Sequence, residues 1–178
     1  MSFERLDSEV VHAGPIATVR RERWRQADGE VVEREVVGHP GAVGIVAHDD
    51  DHVWLVRQPR EAVADPALLE IPAGKLDEAG ETPLQTAQRE LTEEIGKRAA
   101  RWEEIDRFHT SPGFSDEEVI LYEARDLEDV PGFEPIADER IEIVAWSLDR
   151  LDEALEETHD SKTLIGLLWL RGRPASRP

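Results

Sequence analysis

Three glutamates near the middle of the chain have the residue type and the spacing to bind a divalent cation. Glu90, Glu93 and Glu94 lie three and four positions apart, and residues at that spacing are neighbours on a helix. Like charges placed this way repel, at a cost of about 0.2–0.5 kcal/mol per pair. Hard cations such as Mg²⁺ prefer carboxylate oxygens. A solvated acidic helix face is the alternative, since runs of charge usually face solvent.

The element that must position these carboxylates is a helix over residues 83–95. Thr82 is a suitable N-cap, and Pro83 fits the first helical position. Gln85 completes a capping box with Thr82, and Gly96 fits the residue just past the C-terminus. One apolar stripe follows helical spacing: Leu84, Ala87, Leu91 and Ile95.

Residues 74–96 resemble the Nudix box, G-x5-E-x7-R-E-U-x-E-E-x-G-U, in which U is a bulky aliphatic residue. The gap of seven residues between Glu81 and Arg89 matches, as do the fixed letters that follow it. Two positions depart from the pattern. Six residues, rather than five, separate Gly74 from Glu81, and Lys97 stands where the aliphatic residue belongs.

The resemblance to the Nudix family implies a hydrolase that uses Mg²⁺, with Mn²⁺ as the alternative cation. Glu90 and Glu94 match the family's main metal ligands, and Glu93 matches a further ligand or a base-supporting carboxylate. The carbonyl of Ala73 matches a backbone metal ligand. Arg89 matches an arginine that orients the box carboxylates by a salt bridge.

Other motifs resemble the ADP-ribose pyrophosphatase branch of the family. Pro112 lies fifteen positions after Lys97, as in that branch, although it could also be an ordinary turn residue. The remaining motifs cover residues 34–37, 39–43, 56–60 and 69–76. The resemblance implies hydrolysis of ADP-ribose to AMP and ribose 5-phosphate by a homodimer whose front sheets are exchanged between subunits.

The same resemblance assigns substrate contacts. Arg60 matches an arginine that contacts the diphosphate, although pairing with a surface acid is the alternative role for it. Arg34 and Glu35 fall in the front-sheet segment that approaches the nucleotide. The other expected contacts share one loop: Pro112, Gly113 and Phe114.

Glu139 is predicted to position or deprotonate the attacking water. It lies in an acidic, Pro- and Gly-containing segment directly before a predicted strand, and it matches a loop glutamate of the family. A base outside the box is chemically useful, because carboxylates bound to metal have their lone pairs committed. Three nearby acids are alternatives for this role: Glu134, Asp138 and Glu142.

The pattern of apolar residues predicts a mixed α/β (α+β) protein. The resemblance to the Nudix family implies the Nudix fold, a mixed sheet between helices. Short strands with a hairpin turn at 27–30 predict a small N-terminal antiparallel sheet. Further strands are predicted at 42–47, 53–56, 68–71, 105–109, 119–124 and 141–146, helices at 148–157 and 161–171, and loops at 110–116 and 126–140. The predicted regions are 1–38 for dimerisation and nucleotide contact, 39–172 for the Nudix domain, and 173–178 as a disordered tail.

Charge and composition exclude several classes of partner. The formal net charge of −19 over 178 residues argues against broad binding to nucleic acid or to an anionic membrane surface. The absence of cysteine fits a reducing compartment, and the acidic N-terminus shows no signal peptide, so we expect a cytoplasmic protein. The expected partners are a small nucleoside diphosphate sugar and a second copy of the chain.

Two other functions fit the same residues. One is hydrolysis of a different nucleoside diphosphate sugar, such as GDP-mannose, because the box itself does not name the attached group. The other is a non-catalytic Nudix domain that senses ADP-ribose-like ligands. Retention of the three helix glutamates favours an enzyme over a sensor.

Overall fold

The computed structural model describes residues 2–134 and 140–173, which divide into two compact units. Unit 1 comprises residues 1–41 and 108–118, and unit 2 comprises residues 42–107 and 119–178. The unit built around the N-terminal sheet therefore includes a loop from the middle of the chain as well as the first residues.

Unit 1 is a three-stranded antiparallel sheet in the order β1-β2-β3, which confirms the predicted N-terminal sheet. The strands are β1 Phe3–Ala13, β2 Thr18–Gln26 and β3 Val31–Gly38. The amide of Gln26 donates to the carbonyl of Glu30 at 2.8 Å and closes the predicted hairpin. The amide of Val37 donates to the carbonyl of Phe114 at 2.7 Å, which ties the loop at 110–117 to the end of β3.

Unit 2 is built on a mixed sheet of seven strands. Along its main path the order is β10-β5-β4-β9-β8, while β6 pairs with β5 and β7 with β4. β4 and β9 are parallel, and β5 is antiparallel to β4, β6 and β10. The strands are β4 Ala42–His48, β5 His52–Arg60, β6 Asp65–Glu70, β7 Ala73–Lys75, β8 Lys97–His109, β9 Glu118–Asp129 and β10 Glu142–Ser147.

Helices cover both faces of this sheet, because the central strand β4 is apolar on both sides. The helices are α1 Pro83–Ile95, α2 Leu151–Glu157 and α3 Ser161–Gly172. Val43 and Ile45 belong to the cluster that contains Leu91 of α1. Val46 points to the other face, where it lies against Gly166 of α3. The predicted layer of sheet between helices is therefore confirmed.

Several strands are longer than predicted. β5 continues through Arg60, although residues 57–60 were expected to follow its end. Pro59 is tolerated there because the pairing with β6 shifts register between Gln58 and Arg60, where no ladder hydrogen bond from position 59 is needed. β8 begins at Lys97 instead of residue 105.

The expected loop at 126–140 is wrong for its first four residues, because β9 extends to Asp129. Ion pairs, and not an alternating pattern of apolar side chains, stabilise this extension of β9. Arg101 pairs with Asp126, and Lys97 donates to Asp129 at 2.7 Å. The expected helix at 148–157 begins with a short 3-10 turn, and the α-helix itself begins at Leu151.

Some predictions fall outside the described residues. Glu139 and the neighbouring Asp138 lie within the undescribed 135–139, and the predicted tail is described only at Arg173. None of the helices in residues 2–134 and 140–173 has the length and apolar character needed to cross a membrane.

Candidate active site

The helix that carries the acidic residues, α1, forms for local reasons. The amide of Gln85 donates to Thr82 Oγ1 at 3.3 Å, and Gln85 Oε1 accepts from the amide of Thr82 at 2.8 Å. This reciprocal pair is the predicted capping box. At the other end Gly96 takes φ +64, a left-handed conformation that favours glycine. The helix boundaries therefore match the prediction.

Two of the three glutamates face strand β7. A Cβ at position 74 would overlap the carboxylate of Glu90, so the glycine of the box leaves room for that side chain. Glu94 is buried, and its Oε2 accepts a hydrogen bond from the amide of Ala73 at 3.0 Å. The spacing of four residues on α1 thus brings two carboxylates against the segment at Ala73 and Gly74.

Arg89 lies among the other box carboxylates. Its Nη1 donates to Glu90 Oε1 at 2.9 Å and to Glu93 Oε2 at 2.8 Å, and its Nε donates to Glu81 Oε1 at 3.2 Å. Burial alone would lower the pKa of Arg89, but hydrogen bonds to Glu81 and Glu93 and the charge of Glu90 raise it above its ordinary value. Arg89 therefore has the contacts expected of an arginine that orients the box.

The donor chemistry of this cluster fits a hard divalent cation. Glu90 and Glu94 supply carboxylates on the face toward β7, and the peptide group at Ala73 is adjacent. Among residues 2–134 and 140–173, no three His, Cys, Asp or Glu side chains converge into a ready-made metal cage. Mg²⁺ needs no such cage, because it commonly keeps several waters beside one or two carboxylates.

Arg60 is held by a buried carboxylate. Its Nε and Nη2 donate to Glu70 Oε1 and Oε2 at 2.5 and 3.0 Å, a side-on bidentate pair. The hydrogen bond to Glu70 raises the pKa of Arg60, and the charge of Glu94 adds to the effect. The guanidinium is thus within electrostatic range of the box helix, and the acid it pairs with is buried and not on the surface.

The predicted nucleotide contacts lie in unit 1. Arg34 and Glu35 are exposed on β3, and the loop residues Pro112, Gly113 and Phe114 are exposed as well, with Phe114 at 59%. Hydrogen bonds between Val37 and the loop backbone hold these two segments side by side.

Arg20 and Asp116 also hold the loop within unit 1. Arg20 Nη2 donates to Asp116 Oδ2 at 2.6 Å, and Asp116 Oδ1 accepts from the amide of His39 at 2.9 Å. Burial would raise the pKa of Asp116, but the hydrogen bonds from Arg20 and His39 lower it below its usual range. The loop is therefore anchored by charge as well as by backbone pairing.

Sequence reasoning missed the partners of the predicted residues. Glu70 lies in a motif that was recognised, but its contact with Arg60 carries no local signal. Lys162 also contacts Glu70 and is 92 positions away in the chain. The departure at Lys97 has a packing explanation, because its ammonium lies 4.4 Å from the ring centroid of Trp54 and its side chain is only 14% exposed.

The fold and the site together define an α/β protein whose acidic cluster is carried by a loop-and-helix segment beside a mixed sheet. The NUDIX domain profile matches residues 38–168. The chain therefore belongs to the Nudix family, whose hydrolases generally depend on a divalent metal.

Curated relatives and solved structures are similar to this chain along most of its length. An ADP-ribose pyrophosphatase of Mycobacterium tuberculosis (strain ATCC 25618 / H37Rv) is 47% identical over 129 residues, which cover 72% of this chain and 62% of the relative. An ADP-ribose pyrophosphatase of Bacillus subtilis (strain 168) is 35% identical over 96% of this chain and 93% of the relative. The crystal structure of an ADP compounds hydrolase has a TM-score of 0.83 at 24% identity over 98% and 97% of the two chains, a likeness of fold.

Proposed function

We propose that this protein is a Mg²⁺-dependent hydrolase that cleaves the diphosphate of ADP-ribose to AMP and ribose 5-phosphate. The observation that carries the proposal is the placement of Glu90 and Glu94 against β7, with Arg60 within electrostatic range. The names of the two relatives support ADP-ribose as the substrate.

Each chain residue has a separate task in this proposal. A bound Mg²⁺ would neutralise diphosphate charge and lower the pKa of a bound water. Glu90 and Glu94, with the carbonyl of Ala73, would hold the cation, while Arg89 keeps the box carboxylates oriented. Arg60 would bind a diphosphate oxygen and fix its direction.

The base is assigned from the sequence alone. We propose that Glu139 takes the proton from the attacking water and that Glu93 supports it. Glu93 is engaged by Arg89 at 2.8 Å, which supports an orienting role for it over that of a free base. Glu139 lies outside the described residues, so its assignment rests on its position in the chain.

Recognition of the nucleotide is proposed for unit 1. Arg34, Glu35 and the loop at 112–114 are exposed in one compact unit, and an exposed Phe114 ring offers a face on which adenine can stack. Five exposed apolar side chains on the same unit support a homodimer: Phe3, Val10, Val11, Ile16 and Val31.

The test is a screen of nucleoside diphosphate sugars with Mg²⁺, read as phosphate released by phosphatase from the products. We expect the highest kcat/KM with ADP-ribose, and AMP and ribose 5-phosphate in equal amounts. A higher kcat/KM with GDP-mannose would show that GDP-mannose is the preferred substrate and would leave the proposed type of reaction unchanged. Tight binding of ADP-ribose without any cleavage would identify a sensor and contradict the proposal.

A further inference from the structure

The structure places a buried carboxylate between two cations next to the box. Glu70 is 1% exposed, and it accepts hydrogen bonds from Arg60 on one side and from Lys162 on the other. Burying a carboxylate is costly unless opposite charges and hydrogen bonds offset its desolvation. Glu70 has two cationic partners, and the two differ in what else they can contact.

The geometry of Arg60 shows what the second cation can do. Nε and Nη2 are committed to Glu70, and within residues 2–134 and 140–173 Nη1 has no hydrogen-bond partner. The side chain of Arg60 is 42% exposed. Its free edge can therefore donate to an anion while the bonded edge fixes its plane.

The backbone fixes the contact between Glu70 and Lys162. Thr158 Oγ1 donates to the carbonyl that precedes Glu70 at 2.7 Å, and Thr163 Oγ1 accepts from the amide that follows it at 2.9 Å. These two hydrogen bonds hold the end of β6 against the start of α3. The ammonium of Lys162 is thereby held against the carboxylate of Glu70, whose backbone is fixed on both sides.

The charges explain why two cations are useful. Lys162 contacts Glu70 and also lies 3.0 Å from Asp160 Oδ1, so two cations and two carboxylates form one neutral group. Without Lys162, Arg60 would face both carboxylates alone, and the group would carry one net negative charge that opposes an anion.

We propose that Lys162 and Glu70 are positioning residues that hold Arg60 and keep its charge available for the diphosphate of the substrate. This inference rests on the proposed function and adds two residues to it. Lys162 acts through Glu70 and Arg60 and does not itself contact the substrate.

Steady-state kinetics of Lys162→Met with ADP-ribose and Mg²⁺ tests the proposal. We expect KM to rise about tenfold with little change in kcat, because the interaction is made equally in the ground and transition states. Lys162→Arg, which keeps the charge, should restore KM to within about threefold of the wild-type value. Lys97→Met is the matched control, since both lysines are 14% exposed and ion-paired, and it should leave KM unchanged.

A double-mutant cycle separates positioning from a purely structural role. In an Arg60→Met background, Lys162→Met should cause no further rise in KM, since the residue it positions is gone. If Lys162 had only a structural role, Lys162→Met would lower the unfolding temperature. Its effect on KM would then not depend on Arg60, so the fold-changes of the two single variants would multiply in the double variant. If Lys162→Met does not fold, the double variant Glu70→Gln/Lys162→Met replaces it in the cycle, because that variant removes the charges of both partners together.

The outcomes are distinct. If the wild type cleaves ADP-ribose and Lys162→Met has a normal KM, or an undiminished effect in the Arg60→Met background, the positioning role is wrong and the proposed function stands. If the wild type cleaves no nucleoside diphosphate sugar, the proposed function is wrong and the inference falls with it.

Discussion

The two units of this protein are stabilised in different ways. All apolar residues that are buried among residues 2–134 and 140–173 belong to unit 2. In unit 1 the large buried side chain is a carboxylate, Glu22, which accepts from Arg5, Ser8 and Arg20. Further ion pairs such as Arg23 with Asp7 connect its strands.

The difference agrees with the division of roles proposed above. Exposed ion pairs contribute about 0–1 kcal/mol each, so unit 1 gains little from them and leaves apolar side chains in solvent. Unit 2 has a packed core and carries the box, where chemistry needs fixed geometry. If this division is correct, substitutions at the carboxylates of the unit 2 site should change kcat, while substitutions in unit 1 should change KM or assembly and leave kcat nearly unchanged.

The largest expected effect is that of Glu94→Gln in unit 2. An amide is a poor ligand for a hard cation, so kcat should fall by about 10⁴-fold. The fold should persist, because the amide oxygen can still accept from Ala73. Stopped-time assays with saturating ADP-ribose measure the loss, and Glu156→Gln, an exposed glutamate on α2, is the control. Near-normal turnover of Glu94→Gln would contradict the metal site.

Glu139→Gln should lower kcat by about 10²–10⁴-fold, the range for removing a general base. KM and the Mg²⁺ dependence should change little. Parallel variants at Glu134, Asp138 and Glu142 show which carboxylate acts. Loss of activity at one of these neighbours in place of Glu139 would move the base along the segment, and no loss at any of the four would return the role to Glu93.

Phe114→Ala tests recognition by unit 1. Loss of a stacking ring should raise KM about tenfold and change kcat by less than about twofold. The side chain is exposed, so the unfolding temperature should not change. Val63→Ala removes an exposed apolar side chain from unit 2 and serves as the control. A fall in kcat with unchanged KM would break the assignment of recognition to unit 1.

Val10→Lys should have the smallest effect on catalysis by unit 2, but it should weaken the dimer. Val10 is 58% exposed on β1, and a charge there opposes burial of that face by a second copy. Light scattering should show a dimer for the wild type and a shift toward monomer for the variant. Leu168→Lys, at an exposed apolar position on unit 2, should remain dimeric. A wild-type monomer at micromolar concentration would exclude the shared-subunit arrangement.

Features with local causes were predictable from the sequence. The ends of α1 follow from Thr82, Gln85 and Gly96, which act within one helical turn. The extension of β9 was not predictable, because pairing of Lys97 with Asp129 bridges 32 positions and replaces the apolar alternation that marks a strand. The contact between Glu70 and Lys162 depends on how α3 meets β6, which no local pattern encodes.

Two glycines of the box differ in how evolution can replace them. Gly96 has a left-handed backbone, and a Cβ there would also overlap the ring of Phe133. A smaller residue at position 133 would remove the overlap, but the backbone strain would remain. Gly74 has no left-handed backbone, and its obstacle is the carboxylate of Glu90. In relatives that have lost that carboxylate, position 74 should therefore drift to other residues while position 96 stays glycine. The first glycine would then be a marker of retained catalysis, and the second a marker of the fold.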